Sequence, residues 1–243
     1  MSSTITDSTM LVTGANRGIG RALVEEALRR GARRVYAGTR QPWTHPDARV
    51  TPLIIDVTDP ALIRAAVAQI DTLDILINNA GLSRYEDLSD RTELEHHLAV
   101  NLFGPYEVVR AAQPLLIRSG GAVVNVLSVA ALAALPVIPA YSISKAAMFS
   151  LTQSLRALLA ARGVRVHAVL AGPVDTDMSR DLDVPKATPA SVAAAILDGV
   201  QNHQEDIFPD PMSAQLASSW RAGAVKALER ANAGLLAPVA IPS

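Results

Sequence analysis

Short apolar runs alternate with helical stretches along almost the whole chain, and that order leaves few folds open. Residues 9–12, 34–37, 50–55, 73–77, 122–127, 164–170 and 206–208 read as strands, most of them continuous in aliphatic residues rather than alternating in and out. Strands of that kind are buried on both faces. Helical periods lie between them. Leu23, Val24, Ala27 and Leu28 precede a stop at Gly31. Leu62, Ile63, Ala66, Val67 and Ile70 follow the cap and first turn Asp59-Pro60. Residues 91–119 are mostly helical, with a boundary near Asn101 and an interruption at Gly104-Pro105. A long helix runs from Tyr141 to Ala161 before Gly163, and another from Thr188-Pro189 to about Gln201. The expected fold is α/β: a doubly wound, mostly parallel sheet of about seven strands, helices on both faces, right-handed crossovers. One domain spans 1–243, with a C-terminal helical extension over about 213–243 that holds a helix around 213–232 and an apolar tail. Ligands of such a sheet bind beyond the carboxyl ends of the strands, where the polar and glycine motifs of this chain fall.

The first of those motifs is Thr13-Gly14-Ala15-Asn16-Arg17-Gly18-Ile19-Gly20, between the first strand and the first helix. Glycine allows positive φ and close backbone approach, and a helix N-terminus offers free N–H groups to a phosphate. The spacing is Gly-x-x-x-Gly-x-Gly, without the lysine of a nucleoside-triphosphate loop, so a dinucleotide is expected. Its candidate contacts are Gly14, Asn16, Arg17, Gly18, Ile19 and Gly20. A carboxylate ending the second strand would take the ribose hydroxyls of NAD. Here that place holds Thr39, followed by Arg40. Arg40 and Arg17 suit a ribose 2′-phosphate, which points to NADP(H).

The second motif is Tyr141-Ser142-Ile143-Ser144-Lys145. Residues four apart share a helix face. An ammonium beside a phenol favours the phenolate, so the expectation is a Tyr141 pKa drawn down from about 10 toward working pH. Only three lysines occur in the chain, Lys145, Lys186 and Lys226, which makes a chance pairing with a tyrosine uncommon. Such a pair suits proton transfer in the interconversion of an alcohol and a carbonyl.

These motifs, with Asn78-Asn79-Ala80-Gly81, Asn101 and Ser128, occur in an order and spacing that resembles the short-chain dehydrogenase/reductase family over residues 9–178. The resemblance implies a Rossmann fold and a role for each matching position. Asp56 and Val57 would hold the adenine, and Asn79, Ala80 and Gly81 would run along the adenosine ribose. Ser128 would hydrogen-bond the substrate oxygen and Tyr141 would move its proton. Lys145 would hold the nicotinamide ribose and lower the Tyr141 pKa, while Asn101 would shape a helix bend and position a water in the proton path. Val174 and Thr176 would engage the nicotinamide carboxamide. One position departs: the family often has Asn-Pro-Gly after strand six, and this chain has Leu170-Ala171-Gly172-Pro173. Losing the fixed φ of that proline should leave the turn less rigid.

Bulk properties narrow the partners. Net charge is -1 with no basic tract, so neither nucleic acid nor an anionic membrane surface is expected. With no cysteine, disulfides and thiolate metal sites are out, and no histidine has metal-ligand spacing; His96-His97 reads as a helix-surface pair and His167 as a strand residue. Residues 1–7 lack signal-peptide character, and no apolar run reaches the roughly 20 residues of a membrane span. A cytoplasmic protein is expected. The partner is then a small carbonyl or alcohol substrate. The small apolar segment 129–138, with 82–85 and 178–186, would wall its cleft and favour an apolar ketone, aldehyde or diketone. Arg84 reads as a surface residue. Two rivals are a non-catalytic NADP(H)-binding sensor or scaffold and a serine hydrolase, for which no Gly-x-Ser-x-Gly surrounds Ser128. Helices 101–119 and 141–161 are apolar around much of their circumference, and the resemblance makes them a homodimer interface, with a tetramer as the alternative.

Overall fold

Residues 4–235 are described by the computed structural model. The strands are β1 (Thr9–Thr13), β2 (Arg34–Thr39), β3 (Val50–Ile54), β4 (Ile75–Asn78), β5 (Ala122–Val126), β6 (Arg165–Val169) and β7 (Asp206–Ile207). They form one sheet in the order β3-β2-β1-β4-β5-β6-β7, parallel throughout. The order reverses beside β1, where Met10 pairs with Val35 on one side and Ile75 on the other. That reversal opens the crevice in which such sheets bind ligands.

Strand side chains alternate between two cores. Met10, Val12, Ile75, Ile77 and Val124 pack on one face against α1 (Gly18–Arg29) and α6 (Pro189–Gln201). Leu11, Leu76 and Val123 pack on the other against α2 (Pro60–Val67) and α4 (Gly104–Ser119). The long α5 (Pro139–Ala160) also lies on this second side, through Leu159, and sets Met148 and Phe149 against Leu127 and Leu170.

Three expectations change. The boundary near Asn101 is present, but as a π-helical turn, Ala99–Phe103, through which α3 (Arg91–Leu98) passes into α4 with no loop between them. Gly104-Pro105 opens α4 instead of interrupting it, because proline tolerates a first turn and a Cβ on Gly104 would lie 2.8 Å from Val57 Cβ. His97 is fully buried, its Nδ1 2.7 Å from the Glu93 carbonyl, so only His96 faces solvent.

The single C-terminal helix is replaced by three: α7 (Pro211–Ala214), α8 (Ala217–Ala222) and α9 (Ala224–Ala233). Gly223, in an extended conformation, separates the last two. Residues 236–243 of the expected extension lie outside the described residues. α9 is tied down by charge. Buried Lys226 Nζ lies 2.7 Å from Asp206 Oδ2, 2.9 Å from Glu229 Oε2 and 3.1 Å from Glu205 Oε2. Arg156 of α5 pairs with both Asp206 and Glu229, and the Trp220 indole N–H donates to Asp206. Desolvated charges are tolerated there because each meets opposite charge.

Candidate active site

The glycine motif builds a cradle at the carboxyl end of β1. Gly14 and Gly18 have φ of +66° and +54°, the left-handed region that favours glycine. Gly20 is required for a different reason. A Cβ there would sit 2.1 Å from the Gly14 carbonyl oxygen, so the helix could not approach its own loop. Thr13 Oγ1 accepts from the N–H groups of Asn79 and Ala80, and the Asn79 side-chain amide donates to the carbonyls of Thr13 and Gly14. Asn79 therefore fastens the loop to the end of β4. Among the described residues no side chain caps α1 at Arg17, which leaves its first N–H groups for an incoming anion. Asn16 and Arg17 are exposed at the rim, while Ile19 packs into the core below.

Around the ends of β4 and β5 the other predicted residues converge. Lys145 Nζ, on the first turns of α5, donates to the Val126 carbonyl at 2.8 Å and lies 5.6 Å from the Tyr141 ring centroid. Asn101, buried in the π-helical turn, accepts from the Leu82 N–H and donates to the Leu82 carbonyl and Ser144 Oγ, at 2.8, 2.8 and 2.9 Å. The widened turn thus aims one amide at both the loop after β4 and α5. A Cβ on Gly81 would come 3.4 Å from Asn101 Oδ1 and 3.7 Å from Lys145 Nζ, so Gly81, Asn101 and Lys145 share one space. Ser128 lies two residues beyond β5, accepts from the Ala130 N–H at 3.1 Å and is near enough to Tyr141 to draw its phenol pKa down. Its oxygen is therefore both a backbone cap and a partner of the phenol.

The expected acidic tyrosine is not what the buried pair gives. Burial pushes the Tyr141 phenol up to about 12, with the Ser128 hydrogen bond pulling the other way. Burial also pulls Lys145 down to about 8. Removing water penalises the charged form of each group, so both are biased toward neutrality.

At the adenosine end, Thr39 is buried and its hydroxyl donates to the Gln41 carbonyl, leaving no carboxylate at that position. Arg40 is exposed and close enough to help hold the Asp56 carboxyl below its ordinary value, after the larger effect of the Thr58 hydroxyl. Val57 is buried against Gly104. Arg17 reaches across to Asp177 at 3.4 Å, but both side chains are mostly solvated, so the pair holds it weakly. Thr176 faces the glycine loop: a Cβ on Gly18 would lie 3.2 Å from its methyl. Val174 is buried and bridges Ala187. These positions fit a dinucleotide. The cradle could hold a pyrophosphate and Lys145 and Gly81 could border a ribose, while of the two arginines only Arg40 stands beside Asp56 at the end of β2 and Arg17 turns to Asp177.

Three contributors escaped the sequence reading. Glu86, in the loop after β4, accepts from the Ala140 N–H at 2.7 Å and so caps α5 one residue before Tyr141. Asp210 accepts from the Gly172 N–H at 2.7 Å. Ser144 receives the Asn101 amide. A capping preference is visible in sequence only when the cap is local, and Glu86 and Asp210 act over 54 and 38 residues. Arg84 pairs with Glu93 at 2.8 Å, which removes it as a free cation. Among the described residues no group of His, Cys, Asp or Glu could hold a metal ion, and no helix is long and apolar enough to cross a membrane.

A profile described as short chain dehydrogenase matches residues 8–186. The oxidoreductase UcpA of Salmonella typhimurium is 33% identical over 213 residues, covering 79% of this chain and 81% of that protein. A 3-oxoacyl-[acyl-carrier-protein] reductase of Synechocystis is 34% identical over 197 residues, covering 74% of this chain and 79% of that one. The crystal structure of a short chain dehydrogenase from Burkholderia cenocepacia in complex with NADP is 37% identical. It superposes with a TM-score of 0.86 over 97% of this chain and 100% of the other.

Proposed function

The chain belongs to the short-chain dehydrogenase family, hydride-transferring oxidoreductases that use NAD(P)(H), and from that premise we propose that it is an NADP(H)-dependent carbonyl reductase acting on an apolar ketone, aldehyde or diketone. The observation that carries the reading is the meeting of Ser128, Tyr141 and Lys145 beside Gly81 at the carboxyl ends of β4 and β5. NADPH, when bound, supplies the hydride. The chain's own residues handle the oxygen and its proton.

Ser128 Oγ–H and Tyr141 Oη–H donate to the carbonyl oxygen. Charge grows on that oxygen during reduction, so both bonds strengthen in the transition state more than in the ground state. A phenol near 12 is protonated across the working pH range, which is the form that donates. Its proton passes from Oη to the new alkoxide. Lys145, near 8, holds a proton that it can release close to neutral pH, and its Nζ supports the phenolate left behind. Asn101 keeps the loop at Leu82 and the α5 residue Ser144 in fixed relation to this pair.

The preference for NADP(H) rests on the buried Thr39 where a carboxylate would exclude phosphate, on the exposed Arg40 beside it, and on an Arg17 that its solvated pair with Asp177 holds only weakly. The related Burkholderia protein, crystallised with NADP, agrees with it. Leu135, Val137, Met178 and Val184 are exposed in the segments that would wall the cleft, which favours an apolar substrate. Phe103, Tyr106, Ile143 and Leu158 expose apolar surface on or beside α4 and α5, and support a homodimer through these helices. A cytoplasmic location completes the reading. The test is a panel of ketones, aldehydes and diketones followed by nicotinamide absorbance with NADPH and with NADH. Turnover of at least one apolar carbonyl, faster with NADPH, is expected. Tight NADPH binding without turnover across the panel would favour a sensor.

A further inference from the structure

The turn after β6, Ala171-Gly172-Pro173, leads into Val174 and Thr176, the residues set toward the nicotinamide in the reading above. Nothing in its own sequence fixes the first residue of that turn, because alanine has a free φ where proline would not. Yet the turn is held from outside. Asp210, just before α7, is 5% exposed. Its Oδ2 accepts from the Gly172 N–H at 2.7 Å and from Ser213 Oγ at 2.7 Å, and its Oδ1 accepts from the Ser213 N–H at 2.9 Å. A Cβ on Gly172 would lie 2.6 Å from Asp210 Oδ1, so the carboxylate approaches as closely as it does only because residue 172 is glycine. Two of the three donors belong to the cap of α7 itself. The third reaches back to the cofactor turn.

We infer that Asp210 is a positioning residue for the nicotinamide turn, its carboxylate fixing Gly172 as a proline at 171 would fix it from within. A buried carboxylate stripped of water holds its donors strongly, by charge-assisted bonds. Asparagine at 210 keeps the shape but removes the charge and sets an NH2 in place of one oxygen, so the Gly172 bond either loses its charge assistance or, with the NH2 turned toward it, is lost. The turn then samples arrangements that do not match the cofactor, and apparent affinity falls with the competent fraction.

This inference rests on the proposed use of NADP(H), and the experiment separates the two. NADPH is titrated by nicotinamide fluorescence into wild type, Asp210→Asn, Ser213→Ala and the double variant Asp210→Asn/Ala171→Pro, with the melting temperature of each taken without cofactor. Ser213→Ala weakens the α7 cap and leaves the Gly172 bond in place. The expected result is an NADPH Kd raised on the order of tenfold in Asp210→Asn, unchanged within about twofold in Ser213→Ala, and restored at least in part by Ala171→Pro. KM for NADPH follows the same order while kcat changes less. Equal Kd values for wild type and Asp210→Asn, or a Kd in Asp210→Asn that tracks melting temperature and is not rescued by Ala171→Pro, overturns the inference. Wild type that fails to bind NADPH refutes the cofactor reading beneath it and the inference with it.

Discussion

Lys145→Met should make the protein without cofactor more stable at neutral pH. Lys145 is 5% exposed, and burial pulls its pKa from 10.5 to about 8. The folded value lies below the unfolded one, so between about pH 8 and 10.5 the unfolded chain binds more protons, and stability from this group rises with pH in that window. Below pH 8 the full cost of burying the ammonium is present. At pH 7 that cost is about 3 kcal/mol, from roughly 1.4 kcal/mol per pKa unit; at pH 9.5 about 1.5 kcal/mol remains. Methionine has similar length and no charge, but it forfeits the 2.8 Å bond to the Val126 carbonyl, a loss of about 1 kcal/mol. Net stabilisation of about 2 kcal/mol at pH 7, shrinking to near zero at pH 9.5, is the expected outcome. Tyr141 begins to titrate only near pH 10 in the unfolded chain, and it does so in both proteins alike. Urea unfolding of the two proteins at both pH values measures the difference. A variant no more stable than wild type at pH 7, or a gap that does not narrow with pH, refutes the idea that Lys145 is held against its preference for water.

Other substitutions examine the rest of the site. Tyr141→Phe should bind NADPH within about twofold of wild type and lose reduction by roughly a thousandfold, since it keeps the ring and removes the proton; near-normal turnover would remove Tyr141 from its role. Arg40→Asp should lower the NADPH-to-NADH ratio of kcat/KM by about a hundredfold, exchanging a phosphate partner for a ribose one; an unchanged ratio rejects the 2′-phosphate assignment. Gly20→Ala puts a methyl 2.1 Å from a backbone oxygen and should cost about 3 kcal/mol and most NADPH affinity. Gly163→Ala, with open space and only a φ of +73° to resist it, should cost about 1 kcal/mol and leave binding intact. Equal melting temperatures for the two would undo the steric argument.

What the sequence determined by itself is periodic or local. Continuous apolar runs broken by helical periods fold as a parallel doubly wound sheet because each pattern dictates which faces need cover. The spacing of Gly14, Gly18 and Gly20 is legible for the same reason: the demands of two positive φ values and one close approach fall on those residues directly. Tyr141 and Lys145 share a face by helix geometry alone. Boundaries were harder. The π turn at Asn101 still reads as helix by period, and α7, α8 and α9 read as one, since a short turn at 215–216 and a single extended glycine at 223 leave little trace in the pattern.

Tertiary structure alone decided the electrostatics and the braces. The sequence places an ammonium near a phenol and suggests an acidic tyrosine. Only packing shows that both are drained of water, which moves Tyr141 up to about 12 instead of down. His97 lies on a mostly polar, largely exposed helix and is buried all the same, because it falls on the one side of α3 that packs against α5. Glu86 capping α5 and Asp210 holding Gly172 link loops 54 and 38 residues apart. Desolvation and long-range hydrogen bonds depend on which distant segments arrive at a site, and no local pattern of residues encodes that arrival.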